Sequence, residues 1–249
     1  MNPLSLITDS YERKARLYPA LVVLAPVVVT VLAVLPTRLS ALQSVATVVA
    51  GCGGMYLLSQ LARDAGKKSE KTLFERWGGM PSVAVFRHRD TRLDRITKAR
   101  YHKKMATLVK EAKAPSGAVE QANSAAADEV YAAWSTYLRV HTRDTKKFPL
   151  LFQELVSYGY RRNLWGLRFI GIITSAVSGI IAAAVCYQRF RPTGSISEEI
   201  AGAGILAIVF LLMWLFRFSA DWVRIPADAY AGRLVESIDS MGENTAAKK

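Results

Sequence analysis

The sequence predicts a mainly α-helical membrane protein: four transmembrane helices in two hairpins, with a mostly helical basic cytoplasmic domain between them. Three observations carry that reading. Of 249 residues, 51% are hydrophobic and 21% charged, and the two classes are segregated along the chain. Four runs, residues 17–36, 39–62, 164–187 and 200–216, hold almost no charge. At about 1.5 Å per residue, each covers roughly 25–35 Å of hydrocarbon. The net charge of +13 sits mostly between the second and third runs, which suits a negatively charged partner such as nucleic acid or an anionic membrane face. A disordered chain and a small disulfide scaffold are both excluded by this composition. Cys52 and Cys186 lie within apolar runs, so neither a disulfide frame nor a cysteine zinc site is expected.

Residues 1–62 read as an N-terminal segment followed by the first hairpin. Glu12-Arg13-Lys14-Ala15-Arg16 before the first run also suits a signal peptide. However, the run exceeds the usual apolar region of about 7–15 residues, and Thr37-Arg38-Leu39-Ser40 leads straight into a second run. A soluble helical protein is the other alternative, but four nearly chargeless runs would leave it few polar faces. Orientation follows from the basic residues flanking the runs. One side holds only Arg38, Arg189 and Arg191, whereas the other receives Arg13, Lys14, Arg16, Arg63, Lys67, Lys68 and many more. Both termini and the central domain are therefore expected in the cytoplasm. Gly53 in the second run, and Ser175 and Ser178 in the third, are small residues that either pack helices closely or line a pore. No Asp, Glu or Lys lies in mid-membrane, which weighs against a proton-coupled transporter and leaves room for a gated pore.

The central domain, residues 63–163, has 21 Lys+Arg against 11 Asp+Glu. Trp77-Gly78-Gly79-Met80-Pro81 is a turn signal, and Ser82-Val83-Ala84-Val85-Phe86 reads as a short strand. Asp90 is placed to cap a helix running to about Lys113, where Pro115-Ser116-Gly117 stops it. Its expected buried side is Leu93, Ile96, Tyr101, Met105, Leu108 and Val109, with Arg92, Arg95, His102, Lys103 and Lys110 opposite. A second helix is expected over 119–142 with a seam of Val130, Trp134, Tyr137 and Leu138. Residues 148–160 lead to the third run, residues 164–217 form the second hairpin, and 218–249 form an amphipathic cytoplasmic tail.

Residues 87–104 contain eight Lys or Arg and two His among eighteen positions, beside Phe86 and Tyr101. The candidate ligand-binding residues are Arg87, His88, Arg89, Arg92, Arg95, Lys98, Arg100, Tyr101, His102 and Lys103. Arg139, Arg143, Arg161 and Arg162 join them. A solvated charged face, contact with anionic lipid, and binding of an oligonucleotide or nucleotide all remain open at this point. Arginine forks suit phosphate, and rings suit unpaired bases. Catalytic patterns are poor. His88-Arg89-Asp90 imitates a kinase triplet, but Arg95 stands where an Asn is required and no glycine-rich phosphate loop precedes it. The three histidines lack metal-ligand spacing, so no enzyme, metal or cofactor is expected.

The stretches Trp77-Gly78-Gly79-Met80-Pro81, Phe86-Arg87-His88-Arg89-Asp90-Thr91, Thr97-Lys98-Ala99-Arg100-Tyr101-His102 and Tyr158-Gly159-Tyr160-Arg161-Arg162-Asn163-Leu164-Trp165-Gly166-Leu167 resemble a family of bacterial membrane proteins, the membrane effectors of the Hailong anti-phage defence system. The resemblance covers about residues 63–215. It implies an oligomeric, tetrameric inner-membrane channel. Its partner would be a nucleotidyltransferase that makes single-stranded DNA oligomers, which hold the channel shut until phage nucleases destroy them. Related effectors gated by cyclic oligonucleotides, and a non-channel scaffold docking lipid or protein, are the alternatives.

Overall fold

The computed structural model describes residues 10–35 and 53–241. The helices are α1 (Tyr18–Val34), α2 (Gly54–Trp77), α3 (Pro81–Ala84), α4 (Arg95–Leu108), α5 (Gly117–Ala122), α6 (Ser124–His141), α7 (Pro149–Thr193), α8 (Glu198–Leu212) and α9 (Ala220–Glu236). A π-helical turn, Glu12–Leu17, leads into α1; another, Met213–Arg217, extends α8; and a 3₁₀ turn, Ser237–Ser240, follows α9. Among the described residues there is no strand. Among the described residues, three helical stretches are long and apolar enough to cross a membrane: Glu12–Val34, Pro149–Thr193 and Glu198–Arg217. The second predicted run lies largely outside the described residues, and its last part, from Gly54, is helical. Two compact units emerge. One comprises residues 1–70 and 159–223, the other 71–158 and 224–249.

In the first unit, Ala20 and Val23 of α1, Ala62 of α2, Leu164 and Leu167 of α7, and Trp214 and Phe218 after α8 form one buried cluster. Glycine allows the close approaches. A Cβ on Gly166 would lie 2.6 Å from the Gly66 nitrogen, and one on Gly171 would overlap the Trp214 ring. Backbone carbonyls freed at helix ends need donors from within the protein in a dry environment. Arg168 supplies two, donating to Trp214 O and Leu215 O at 2.8 Å each. Arg189 donates to Val34 O at 3.0 Å at the end of α1. Thr174 Oγ1 lies 3.1 Å from Val23 O and from Gly171 O of its own helix, and donates to these carbonyls.

The second unit packs α3, α4, α6 and α9 around Phe86, Tyr131, Trp134, Met105, Leu138, Leu234 and Ile238. The Phe86 and Trp134 rings meet edge-on at 5.4 Å, and Trp134 Nε1 donates to Ala112 O at 3.0 Å. Truncating such a buried ring to Ala costs about 3–5 kcal/mol. Several expectations need correcting here. The expected strand at 82–86 is a helical turn instead, because Pro81 opens it at the first helical position and the whole short run is buried, so it carries no alternation. Asp94, not Asp90, caps α4, accepting from Ile96 N at 3.0 Å and Thr97 N at 2.9 Å. The helix ends at Leu108 rather than Lys113. The expected helix over 119–142 is broken at Asn123, whose side chain caps α6 by accepting from Ala126 N. Within the expected tail, Leu234, Val235, Ile238 and Met241 sit in this same core.

Candidate nucleic-acid interface

The inner half of the basic segment builds the fold. Arg87 Nε and Nη2 reach Asp128 Oδ1 and Oδ2 at 2.8 and 2.6 Å, while Nη1 donates to Gly78 O at 2.7 Å. The hydrogen bonds to Asp128 hold its guanidinium above its already high ordinary pKa, against the effect of burial. Lys98 is buried, its ammonium donating to Arg87 O at 2.7 Å and to Asp90 O. Burial lowers its pKa. His102 is 5% exposed, with Nε2 at 2.8 Å from Phe86 O, and burial holds it below the ordinary histidine range. The helix phase therefore differs from the expected one. The buried stripe of α4 is Lys98, Tyr101, His102 and Met105, and Ile96 is 83% exposed. Counting apolar residues alone sets the face wrongly, because a lysine stem and a neutral imidazole occupy it.

The rings expected as base-stacking platforms are not accessible. Phe86 is 0% exposed and Tyr101 is 3% exposed, and the Tyr101 hydroxyl donates to Asp239 Oδ2 at 3.0 Å. His88 is exposed but tied, with its backbone N–H donating to Glu120 Oε2 and its Nε2 2.9 Å from Pro115 O. Glu120 sits below the usual carboxylate range because the donors from His88 and Tyr131 outweigh its burial.

The outer half remains open. Arg89, Arg95 and Lys103 are exposed, and their side chains have no hydrogen-bond or ion-pair partner among the described residues. Arg95 and Lys103 lie eight residues apart on one side of α4, about 12 Å along its axis. Arg139 and Arg143 are also exposed, with Arg139 engaged only locally on Ser135 O and Thr136 Oγ1. Arg92 and Arg100 reach the C-terminal region, at Asp228 (2.6 Å) and Asp239 (3.0 Å). Comparison with protein-family models, curated proteins and solved structures finds no match for this chain.

Arg161 and Arg162 belong to the other unit and are engaged there. Arg161 donates to Trp222 O at 2.9 Å and lies 4.7 Å over that ring. Arg162 is 4% exposed, bound to Glu70 at 2.6 Å and to Asn163 Oδ1; Asn163 Nδ2 in turn donates to Ala15 O at 2.7 Å. Of the expected pore or packing residues, Ser175 and Ser178 are 1% and 3% exposed. Gly53 precedes α2 with a φ of 77°, a backbone conformation that favours glycine, and no atom of the described residues lies within 4 Å of where a side-chain carbon would stand. The close-packing glycines are Gly66, Gly166 and Gly171, whose partners could not be read from small-residue spacing. Among the described residues, no three His, Cys, Asp or Glu groups converge as a metal site.

One feature escaped sequence reasoning. A cleft of about 150 Å³ is lined by Trp77, Arg89, Asp90, Arg92, Arg224 and Asp228, among others. Hydrogen bonds from Arg92 outweigh burial and keep Asp90 below the usual carboxylate range. Asp228 is shared, with Oδ1 at 2.6 Å from Arg92 and Oδ2 at 3.2 Å from Arg224. The sequence signal was the i,i+4 spacing of Arg224 and Asp228, which marks a helical ion pair and says nothing of Arg92.

Proposed function

We propose that this chain is a tetrameric channel effector of anti-phage defence in the bacterial inner membrane, held shut by a single-stranded DNA oligomer. A partner nucleotidyltransferase makes the oligomer, and its loss opens the channel, depolarises the membrane and stops growth. The observation that carries this reading is the outward set Arg89, Arg95 and Lys103, cations with no ion-pair partner among the described residues, on the same chain as three membrane-capable helices. Residues 39–62 complete four spans in two hairpins, with both termini and the central domain in the cytoplasm. A protomer whose helices pack through Gly66, Gly166 and Gly171 has little room for a wet pore, so conduction needs several subunits around an axis. The strand acts through its higher affinity for the closed state.

The test is reconstitution in vesicles loaded with a potential-sensitive dye. Ion flux that single-stranded DNA suppresses and nuclease restores is expected. Binding to anionic vesicles with no flux in either condition would replace the channel by a lipid-docking scaffold. Flux that rises on adding a cyclic oligonucleotide would reverse the sign of the gating. Reporters near Gly194 are expected in the periplasm and reporters at Thr145 in the cytoplasm. Thr145 suits an insertion because it lies in an exposed stretch between α6 and α7.

A further inference from the structure

We propose that the cleft bounded by Trp77, Arg89, Arg92 and Arg224 binds a terminal phosphate monoester of a nucleic-acid strand, and that Asp228 is the internal anion it displaces. The proposal rests on the reading of the chain as a single-strand binder and adds which end of the strand is held. Four guanidiniums, Arg87, Arg89, Arg92 and Arg224, line the cleft, a density that suits phosphate through paired N–H donors. At about 150 Å³ the space is too small for a nucleoside, since ordinary ligand pockets begin near 300 Å³. It is wide enough for a phosphate group.

Charge decides between an internal phosphodiester and a terminal monoester. Asp128 neutralises Arg87, Asp90 pairs with Arg92, and Asp228 bridges Arg92 and Arg224. Four cations against three carboxylates leave one positive charge. With Asp228 displaced, two remain, which match a monoester carrying roughly −1.5 to −2 better than a diester carrying one. Two guanidiniums already converge on the Asp228 carboxylate, in the way they would on phosphate. Trp77 forms part of the wall. The side chain of Arg89 has no hydrogen-bond or ion-pair partner among the described residues and is the uncommitted donor there. Because Asp228 lies on α9, the occupied cleft exchanges a contact between the 87–92 turn and α9 for one to the ligand.

The experiment measures binding of the detergent-solubilised full chain to one oligodeoxynucleotide in three forms, with a 5′-phosphate, with a 3′-phosphate, and with hydroxyls at both ends. Inorganic phosphate forms a separate arm read by thermal unfolding. One phosphate-ended form is expected to bind about tenfold tighter than the hydroxyl-ended strand. In Arg224→Gln that ratio is expected to fall to about one, while Asp228→Asn, which removes the competing anion, is expected to tighten the phosphate-ended strand. A variant that merely unfolds the region would not bind more tightly. Equal affinity for all three forms overturns the proposal and leaves the strand-binding function intact. If no strand binds, stabilisation by inorganic phosphate that Arg224→Gln abolishes keeps the cleft as a phosphate site while the proposed function falls. Absence of both effects removes the two together.

Discussion

Arg87 and Asp128 form a two-pronged ion pair, Nε to Oδ1 at 2.8 Å and Nη2 to Oδ2 at 2.6 Å. The pair ties the turn after α3 to the second turn of α6, and a third donor of the same guanidinium fixes Gly78 O. With the arginine side chain 11% exposed and the aspartate 32%, this is a partly buried contact of the core. Arg87→Met is therefore expected to lower stability by about 2–3 kcal/mol, below the range for fully buried pairs because Asp128 stays partly hydrated. Chemical unfolding in detergent checks this, and a variant as stable as the wild type would show the pair to be inert.

The same geometry dictates which residues report on the proposed nucleic-acid binding. Reversing Arg87 or Lys98 would test folding, whereas Arg89→Glu, Arg95→Glu and Lys103→Glu together leave the internal contacts untouched. The triple variant is expected to unfold like the wild type and to lose most single-strand affinity. Each phosphate contact removed should flatten the dependence of log affinity on log salt by about 0.7. Anisotropy titrations across a salt series measure both quantities. Unaltered affinity and slope would move the interface elsewhere.

Glycines in the membrane unit divide sharply. A side-chain carbon on Gly166 meets the backbone of Ala65 and Gly66, which cannot rotate away, whereas one on Gly202 meets no atom of the described residues. Gly166→Ala is expected to destabilise by about 1–3 kcal/mol through overpacking. Gly202→Ala is expected to be neutral or stabilising by about 0.5–1 kcal/mol, as usual for an open helical glycine. Thermal aggregation of the two variants in detergent ranks them, and equal behaviour would dispute the close approach of α2 and α7.

His102 makes stability fall in mild acid. Burial holds its folded pKa below the ordinary 6.5, with the Phe86 carbonyl offsetting part of the effect. The unfolded chain then binds the proton more readily, so stability rises with pH across this interval. The contribution of His102 is complete above about 6.5 and is lost as pH falls through the lowered folded value. The groups facing its ring include His88 at 4.9 Å, and Lys98 and Glu120 act on its charge. Glu70, Asp90 and Glu120 are all held below their ordinary values, so their losses come at still lower pH. His102→Gln keeps a donor for Phe86 O and is expected to flatten the fall between pH 7 and 5 in unfolding measurements. An undiminished fall would assign it to another group.

Composition and spacing were enough for the helical class, for three of the apolar runs that emerge as membrane-length helices, and for the concentration of positive charge at 87–104. These properties are local. A chargeless run of membrane length needs no partner to be recognised, because the cost of burying charge is written residue by residue. The seam through Trp134 and Leu138 was legible for the same reason, as helical periodicity shows in the chain itself.

What each cation does was settled only by tertiary structure. Lys98 and Arg95 are three residues apart on one helix, yet one is buried on carbonyls and the other is exposed. The difference comes from Arg87 O and Asp90 O, which a turn outside the helix places within reach of Lys98. Likewise Asp228 meets Arg92 across 136 positions, a distance at which no periodicity operates. Charge and apolarity are properties of a residue and can be read in order. Neutralisation depends on which carboxylate or carbonyl the fold carries to each cation, and that information exists only once the helices have packed.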